Sequence, residues 1–280
     1  MNERGNSNSE EVRRLYLEEG LTAEAIASRL GCGASTVYRR LARLGVPRRG
    51  RGPAPRSRTD FSAWSAPLAY AVGLIATDGN LSPDGRHISV TSKDIDLLET
   101  LKNCLGLSNT ITPNYNAHGS LNYRVQWGNR VMYDWLVSIG LMPAKSLRLG
   151  PLQIPDEFFV DFLRGCIDGD GSIITYTDRY NTFKNPKYVY QRLFVELFSA
   201  SRPFLEWAQA TATRLKGVGG AVITRELPAP RHPYSVLKYA KHDSLVLLHW
   251  FYYSPTVPCL ARKKNLALPF LTPNSASTFG

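Results

Sequence analysis

The sequence is poor in the features that build disulfide frameworks, thiolate metal sites and membrane spans. Its 280 residues include only four cysteines, and these lie far apart, so no pair has the spacing of a zinc site or a redox motif. No apolar run approaches the roughly 18 residues that a spanning helix needs, and the polar, charged N-terminus does not resemble a secretory signal. We therefore expect reduced thiols, no membrane partner and an intracellular protein, in the cytoplasm or nucleoid of a bacterium or phage-infected cell, or in an organelle.

Acidic residues are absent from a long stretch near the N-terminus. Between Ala25 and Thr59 there is no Asp or Glu, yet there are nine arginines, and the whole chain has a net charge of +11. Such a charge excess attracts polyanions. The fork of an arginine side chain binds two acceptors of a phosphate or a guanine together. The composition therefore favours a nucleic-acid partner over a merely solvated basic linker.

Residues 1–46 have the pattern of three short helices. Apolar periodicity predicts helices over 10–19, 23–30 and 34–44, with residues 1–8 disordered and Thr22 capping the second helix. The stretch LTAEAIASRLGCGASTVYRRLARLG resembles the helix-turn-helix domains of resolvases and homeodomain-like bacterial regulators. The alternative is a small helical module that does not touch DNA. By the resemblance, the third helix contacts DNA through Ser35, Thr36, Tyr38, Arg39, Arg40 and Arg43. The composition of residues 47–60 predicts a flexible basic linker, which we expect to lie along a DNA groove with Arg48, Arg49 and Arg51.

A nine-residue phrase occurs twice in the rest of the chain. Residues 71–79 read AVGLIATDG and residues 163–171 read LRGCIDGDG, and each leads into the same order of strands and helices. This repeat predicts two related half-domains, over 61–155 and 156–280. Gly73 and Gly165 supply small residues where two helices can pack closely. The helices would then bring Asp78 and Asp170 together, and a close carboxylate pair needs a metal ion or a shared proton.

These two phrases resemble the paired motifs of the LAGLIDADG homing endonucleases. The resemblance covers roughly residues 65–270 and implies an α+β fold of two pseudo-symmetric αββαββα half-domains, which form a saddle on DNA. It also implies a site-specific endonuclease that hydrolyses one phosphodiester in each strand of a long duplex target. The first motif departs from the family pattern, because Ala76 stands where the family usually has Asp. The last acid of the motif, the catalytic one in the family, is present in both copies.

The chemistry of the carboxylate pair indicates a divalent cation. A carboxylate at a helix C-terminus is disfavoured by the helix dipole, and a cation offsets that cost. Mg²⁺ prefers oxygen ligands and bridges to phosphate, so we expect Mg²⁺, with Mn²⁺ able to substitute. The predicted ligands are Asp78 and Asp170 with the backbone near Thr77 and Gly169.

The resemblance extends to supporting residues. It implies that Lys145 and Lys263, with Lys264 as an alternative to Lys263, act beside the scissile phosphate, and that Ser89 and Glu196 lie near the metal and water network. Arginine, glutamine and lysine side chains on the predicted strands and loops are candidates for DNA contact. They are Arg86, Arg124, Gln126, Lys184, Lys187, Arg225 and Lys238.

Three other functions compete with cleavage. A regulator on the same scaffold would bind DNA without cutting it, although retention of both aspartates argues against that. An intron RNA maturase role could coexist with cleavage. We do not expect an intein, because the chain starts with Met1 rather than a splicing Cys or Ser and does not end in His-Asn. The internal duplication leads us to expect a monomer.

Overall fold

The structure is a computed structural model that describes residues 3–48, 63–115, 119–230 and 232–271. The chain divides into two compact units, Met1–Ala54 and Pro55–Gly280. Each has its own buried apolar core. Among the described residues, no helix has the length and apolar character to cross a membrane.

The first unit is built from three helices around a small core. Its helices are α1 (Glu3–Leu17), α2 (Ala23–Arg29) and α3 (Ala34–Arg43). The Thr22 hydroxyl accepts a hydrogen bond from the backbone N–H of Ala25 at 3.2 Å, which confirms the predicted cap of α2. The core contains the residues with apolar side chains at helical spacing, which are Val12, Leu15, Ile26, Val37 and Leu41.

The prediction for the start of α1 was wrong. The sequence pattern predicted disorder over residues 1–8 and a helix from Glu10, whereas α1 begins at Glu3. The apolar periodicity marks only the part of the helix that packs on the core. Once a helix has formed there, adding a residue at its end costs little, so the helix extends into a polar segment. The other two helices match their predicted ends within one residue.

The second unit contains the two half-domains. In the first half, a long helix is followed by two strands, a helix, two further strands, a helix and a 3₁₀ turn. Their bounds are α4 (Ala66–Asp78), β1 (Gly79–Leu81), β2 (His87–Ser92), α5 (Ile95–Leu105), β3 (Thr112–Tyr115), β4 (Leu121–Gly128), α6 (Arg130–Ser138) and the turn Lys145–Leu147.

The second half repeats this order and ends in a helix where the first half has the 3₁₀ turn. The second half begins with a 3₁₀ turn at Asp156–Phe158. Its elements are α7 (Phe159–Asp170), β5 (Gly171–Asp178), β6 (Tyr190–Ser199), α8 (Arg202–Lys216), β7 (Ala221–Arg225), β8 (Tyr234–Tyr239), α9 (Lys241–Phe251) and α10 (Ala261–Leu271).

Two antiparallel sheets confirm the predicted fold class. Sheet 1 has the order β1-β2-β4-β3 and sheet 2 the equivalent order β5-β6-β8-β7. In both sheets the glycine after the motif aspartate begins the first strand: Gly79 pairs with Val90, and Gly171 pairs with Leu197. Alternate side chains of each sheet pack on the helices, for example Val90 and Val125 in sheet 1. The opposite surface of each sheet, away from this core, is called its open face below.

The motif helices α4 and α7 pack against each other at their glycines. A methyl group at Gly73 would overlap the carbonyl oxygen of Phe162 and lie 2.9 Å from the backbone nitrogen of Cys166. A methyl group at Gly165 would overlap the carbonyl oxygen of Tyr70 and lie 3.2 Å from Cα of Gly73. The glycines are therefore needed for the backbone approach that sets the spacing between the two half-domains.

Candidate metal centre and nucleic-acid interface

The two motif helices end side by side, and each ends on an aspartate. Asp78 is the last residue of α4 and Asp170 the last residue of α7. A methyl group on Gly169, the neighbour of Asp170, would lie only 3.3 Å from Oδ2 of Asp78 and would overlap the Thr77 hydroxyl. The structure thus brings together the two carboxylates that the sequence predicted as a pair.

The electrostatics of the pair are those of crowded like charges. Burial, followed by repulsion from Asp170, raises the pKa of Asp78 to about 7. Asp170 is exposed as a whole residue. Partial burial of its carboxyl group nevertheless raises the pKa of Asp170, and the positive charges of Lys145 and Lys263 oppose that shift. Asp78 experiences the same two lysines, so all four groups form one charge cluster across the two halves.

Both predicted lysines are buried and bind the carbonyl ends of the motif helices. Nζ of Lys145 donates to the carbonyl oxygens of Thr77 at 3.1 Å and Gly79 at 2.5 Å. Nζ of Lys263 donates to the carbonyl oxygens of Ile167, Asp168 and Gly171 at 2.7–2.8 Å, and of Gly169 at 3.3 Å. Each lysine satisfies carbonyls that a helix end leaves unpaired and places a positive charge at the negative end of the dipole.

The alternative residue Lys264 does not reach the motif helices. Its Nζ donates to the carbonyl oxygen of Pro255 at 2.9 Å instead. Burial lowers the pKa of Lys263 to about 8 and also lowers that of Lys145, while nearby aspartates oppose both shifts. The hydrogen bonds therefore place Lys145 at the end of α4 and Lys263 at the end of α7. The charge interactions cross between the halves, because Asp78 interacts more strongly with Lys263 and Asp170 more strongly with Lys145.

The donor set suits a hard divalent cation that keeps most of its water. Among the residues that the structure describes, no group of three or more His, Cys, Asp or Glu side chains could hold a metal ion. Two carboxylates, each repelled by the other, remain. Mg²⁺ is commonly held by one or two carboxylates with waters and substrate phosphates, so Asp78 and Asp170 fit that ion. The carbonyls of Thr77 and Gly169 already accept lysine hydrogen bonds.

Asp168, the earlier acid of the second motif, is buried and hydrogen-bonded to residues of two other segments. Oδ2 of Asp168 accepts from the Tyr70 hydroxyl at 2.8 Å and from the Leu260 N–H at 2.7 Å. Burial raises the pKa of Asp168 to about 6, against these hydrogen bonds. Its counterpart Ala76 is also buried but has no polar side chain. The difference between the motifs therefore lies in how each helix is anchored, not in the pair of terminal carboxylates.

The predicted supporting residues Ser89 and Glu196 occupy equivalent places in the two sheets. Ser89 lies opposite Gln126, and Glu196 lies opposite Lys238. Oγ of Ser89 accepts from Nη2 of Arg124 at 3.0 Å, and Oε1 of Glu196 is 2.7 Å from Nζ of Lys238. Both acceptors are buried and already have a partner on a neighbouring strand.

The candidate DNA-contact residues of the second unit lie on strands and at strand ends. Gln126 and Arg225 are exposed, and Arg124 and Lys238 are half-buried. Arg86 is exposed between β1 and β2 and lies 3.9 Å from Asp84. Lys184 and Lys187 are exposed in the longer connection between β5 and β6.

Three residues of α3 that were predicted to be exposed for DNA contact are half-buried instead, and they are Thr36, Tyr38 and Arg40. Arg40 was expected to be exposed for DNA contact, but it is half-buried, and its Nη1 donates to Oδ1 of Asn8 on α1 at 3.1 Å. The polar N-terminal turns of α1, which the sequence pattern did not predict, supply that partner. Ser35, Arg39 and Arg43 are exposed as predicted, whereas Thr36 and Tyr38 are half-buried. The Arg48 guanidinium lies 4.5 Å from the Tyr38 ring centroid, and Arg49 and Arg51 lie outside the described residues.

Sequence reasoning missed a buried ionic network on α7. Nη2 of Arg164 donates to Oδ1 of Asp161 at 2.5 Å, and its other nitrogens donate to the carbonyl oxygens of Phe251 and Pro258. Both charged side chains are buried. An Asp and an Arg three residues apart in the otherwise apolar stretch 159–167 were the available signal. The network ties α7 to the segment that leads into α10, the helix carrying Lys263.

Comparison with known proteins gives matches to solved structures. The sequence matches no protein-family model and no curated protein. Full-length DUF199/WhiA from Thermatoga maritima is 16% identical with a TM-score of 0.46, covering 76% of this chain; the chain spans 63% of that protein. I-DmoI in complex with DNA and Mn is 18% identical with a TM-score of 0.44, covering 68% of this chain and 97% of that chain. The N-terminal LAGLIDADG domain of DUF199/WhiA is 17% identical with a TM-score of 0.43, covering 69% of this chain and 85% of that chain.

Proposed function

We propose that the chain is a monomeric, site-specific double-strand DNA endonuclease that depends on a divalent metal. The observation that supports it most strongly is the pair of aspartates at the ends of two closely packed helices. Burial and mutual repulsion disfavour the ionised pair in the absence of a cation. If Asp78 and Asp170 served only to form the turns at the helix ends, the fold would not need to place their carboxylates side by side.

Asp78 and Asp170 would hold the metal, as Mg²⁺ or Mn²⁺. When bound, such an ion polarises a scissile phosphate and lowers the pKa of a bound water. The glycine contacts between α4 and α7 hold the two carboxylates in a fixed relation. Lys145 and Lys263 hold the helix ends in place through their carbonyl contacts and contribute positive charge next to the aspartates. The pseudo-two-fold arrangement gives each strand of a duplex one aspartate and one lysine.

The first unit would extend the DNA footprint. Ser35, Arg39 and Arg43 lie four residues apart on α3 and are exposed together on one side of the helix. We propose residues 1–46 as this DNA-binding domain, 47–60 as a basic linker, and 61–155 and 156–280 as the two nuclease half-domains. Phosphate contacts by arginine would add affinity that falls with salt concentration.

A regulator that binds DNA without cleaving it is the second candidate. Two observations favour it: a three-helix unit with an exposed arginine stripe, and two lysines whose ammonium groups are already bonded to main-chain carbonyls. A lysine fully engaged in holding a helix end is less free to contact a phosphate. The two candidates share the DNA partner and differ only in hydrolysis.

Cleavage of a duplex distinguishes the two candidates. Two DNA substrates are incubated with the full chain in Mg²⁺ or in EDTA. One is a duplex in which the sequences that flank the protein's own gene are joined directly, and the other is a randomised duplex library. We expect double-strand ends at one sequence in Mg²⁺ only. Asp78→Asn and Asp170→Asn should each lower cleavage by more than about 100-fold, while the exposed Asp134→Asn on α6 serves as the matched control.

Metal binding is measured separately from cleavage. Mn²⁺ titration followed by electron paramagnetic resonance should show a site that is lost in Asp78→Asn and kept in Asp134→Asn. Cutting that persists in both aspartate variants would rule out the assignment. Duplex binding without cutting in any divalent metal would support the regulator, and preferential binding of intron RNA would support a maturase.

A further inference from the structure

Apart from Gly128, the strand positions on the open face of sheet 1 carry hydrogen-bonding side chains. Strand register places Asn80, Ser89 and Gln126 in one row, and Thr91, Arg124 and Thr112 in the next. Asn114 and Asn122 continue the surface. None of these side chains is aliphatic or aromatic. Arg, Asn and Gln are the side chains that bind purine edges in the major groove.

The open face of sheet 2 is mostly apolar, although its strand order is the same. Register pairs Ile174 with Phe194, and Phe198 with Val236, which in turn pairs with Ile223. The surface continues through Tyr176 and Tyr234. Tyr176 is 49% and Ile223 39% exposed, Val236 is buried, and the other four side chains are half-buried. None of the seven belongs to the main apolar core, which uses the alternate residues Leu193, Val195, Leu197 and Leu237.

Charged groups divide and surround this apolar surface. The central row contains the Glu196–Lys238 ion pair, and Nζ of Lys238 lies 3.9 Å from the ring centroid of Phe194. Two arginines lie at positions on the same face: Arg225, and Arg192, whose Nη2 is 2.8 Å from Oδ2 of Asp178. The connection from β5 to β6 adds the exposed Lys184 and Lys187. An apolar surface framed by cations matches a partner with a negatively charged backbone and apolar groups between the charges.

We infer that the two sheets read chemically different halves of one duplex target, and that sheet 2 reads thymine methyl groups in the major groove. This inference rests on the proposed function, since it assumes that the two sheets lie along one duplex. Thymine is the base with an apolar substituent in the major groove, and apolar side chains recognise it by contact. The target is therefore rich in T·A pairs opposite sheet 2, and sheet 1 selects bases by hydrogen bonds.

The arrangement of the rings favours a duplex over a single strand. Bases of a single strand stack on free aromatic ring faces. Here Lys238 covers one face of Phe194, and Phe194 also contacts Tyr176 with centroids 6.5 Å apart. Phe198 and Tyr234 are half-buried and lie 6.3 Å apart at 43°. Rings packed on each other offer edges and aliphatic neighbours, which suit methyl contacts better than base stacking.

Replacing thymine by uracil tests the inference, because uracil lacks only the methyl group. Duplexes are selected from a randomised library by the full chain in EDTA, so that cleavage does not deplete them. Each half of the best duplex is then rebuilt with deoxyuridine in place of thymidine. We expect binding to weaken about fourfold for each thymine methyl group that sheet 2 touches and the deoxyuridine duplex lacks, and this effect should be confined to one half. Replacing purines by their 7-deaza analogues should weaken binding in the other half.

Protein variants assign each half of the duplex to a sheet. Tyr176→Ser and Ile223→Ser change exposed residues to a small polar side chain that has no methyl group to contact thymine. They should bind the thymidine duplex more weakly and remove most of the difference between thymidine and deoxyuridine. Val131→Ser makes the same type of change at a 70% exposed position on α6 and should leave that difference intact.

The outcomes separate this inference from the proposed function. Equal deoxyuridine effects in both halves, or none, would overturn the inference while leaving duplex binding and cleavage in place. A deoxyuridine effect that Tyr176→Ser and Ile223→Ser do not change would also overturn it, as would tighter binding of single-stranded RNA or DNA that competes for sheet 2. Failure to select any duplex would instead contradict the proposed function.

Discussion

The two motif helices end alike but are anchored differently. On α7, Arg164 pairs with Asp161, and Asp168 binds Tyr70 and the Leu260 N–H. The equivalent positions of α4 hold Ala69, Val72 and Ala76, all buried. The second helix therefore depends on a buried polar network, whereas the first depends on apolar packing. The two halves keep in common the terminal aspartate, the lysine at the helix end and the glycine at the crossing.

The largest predicted effect tests the part that the halves share. Gly165→Ala and Gly73→Ala each place a methyl group where the partner backbone already lies. Each should lower the free energy of unfolding by about 3 kcal/mol or more, or prevent folding, as measured by urea denaturation. Gly150→Ala has open space around its Cβ and should be close to neutral. A tolerated alanine at only one crossing glycine would show that the halves do not share this packing.

The next effect tests the network that only α7 has. Arg164→Met leaves the Asp161 carboxylate buried without its partner, which should cost about 3–5 kcal/mol. The double variant Arg164→Met with Asp161→Leu should recover much of that stability, because an apolar pair replaces a buried ion pair. A double-mutant cycle followed by chemical denaturation measures the coupling. Additive effects would mean that the pair is not the anchor of α7.

The lysines at the two helix ends should differ in their contribution to stability. Lys263 contacts four carbonyl oxygens and Lys145 contacts two. Lys263→Met should therefore destabilise more than Lys145→Met, with decreases of about 1–3 kcal/mol in thermal or chemical unfolding. The partly exposed Lys264→Met is the control and should have little effect. The reverse order would indicate that the first half relies on its lysine more than its apolar packing suggests.

The smallest effect concerns an ion pair between the halves. Arg262, next to Lys263, binds Asp94 at the start of α5 with nitrogen–oxygen distances of 2.8 and 2.9 Å, and this hydrogen bond lowers the pKa of Asp94. Because the folded-state pKa is depressed, the stabilisation is present above the unfolded-state value of about 3.9 and is lost as pH falls through the folded-state pKa.

Asp94→Asn should therefore cost roughly 0.2–1 kcal/mol at neutral pH, as expected for a partly exposed pair. The difference from the unmodified protein should shrink below about pH 4, as measured by urea denaturation at a series of pH values. Glu226→Gln, at an exposed position after β7, is the control. A difference that stays constant down to about pH 3 would show that the carboxylate charge does not contribute.

Much of the fold was predictable because its signals are local and repeated. The second motif with its strand and helix order could be matched to the first, and the Asp-Gly pairs marked both helix ends. Lys263 was distinguished from Lys264 only by the structure, because adjacent positions on a helix point about 100° apart. The Arg164 network was missed because its acceptors are main-chain carbonyls of Phe251 and Pro258, nearly 90 residues or more away in sequence.

The sequence by itself determined the duplication, the residue types at the candidate metal centre and the excess of positive charge, since these follow from identity and spacing. Only the tertiary structure decided which lysine reaches each helix end, that Arg40 turns toward Asn8, and which strand residues share an open face. Strand alternation gives two faces, but sequence does not say which face packs on the helices. That choice depends on the pairing register, and it leaves one open face polar and the other mostly apolar.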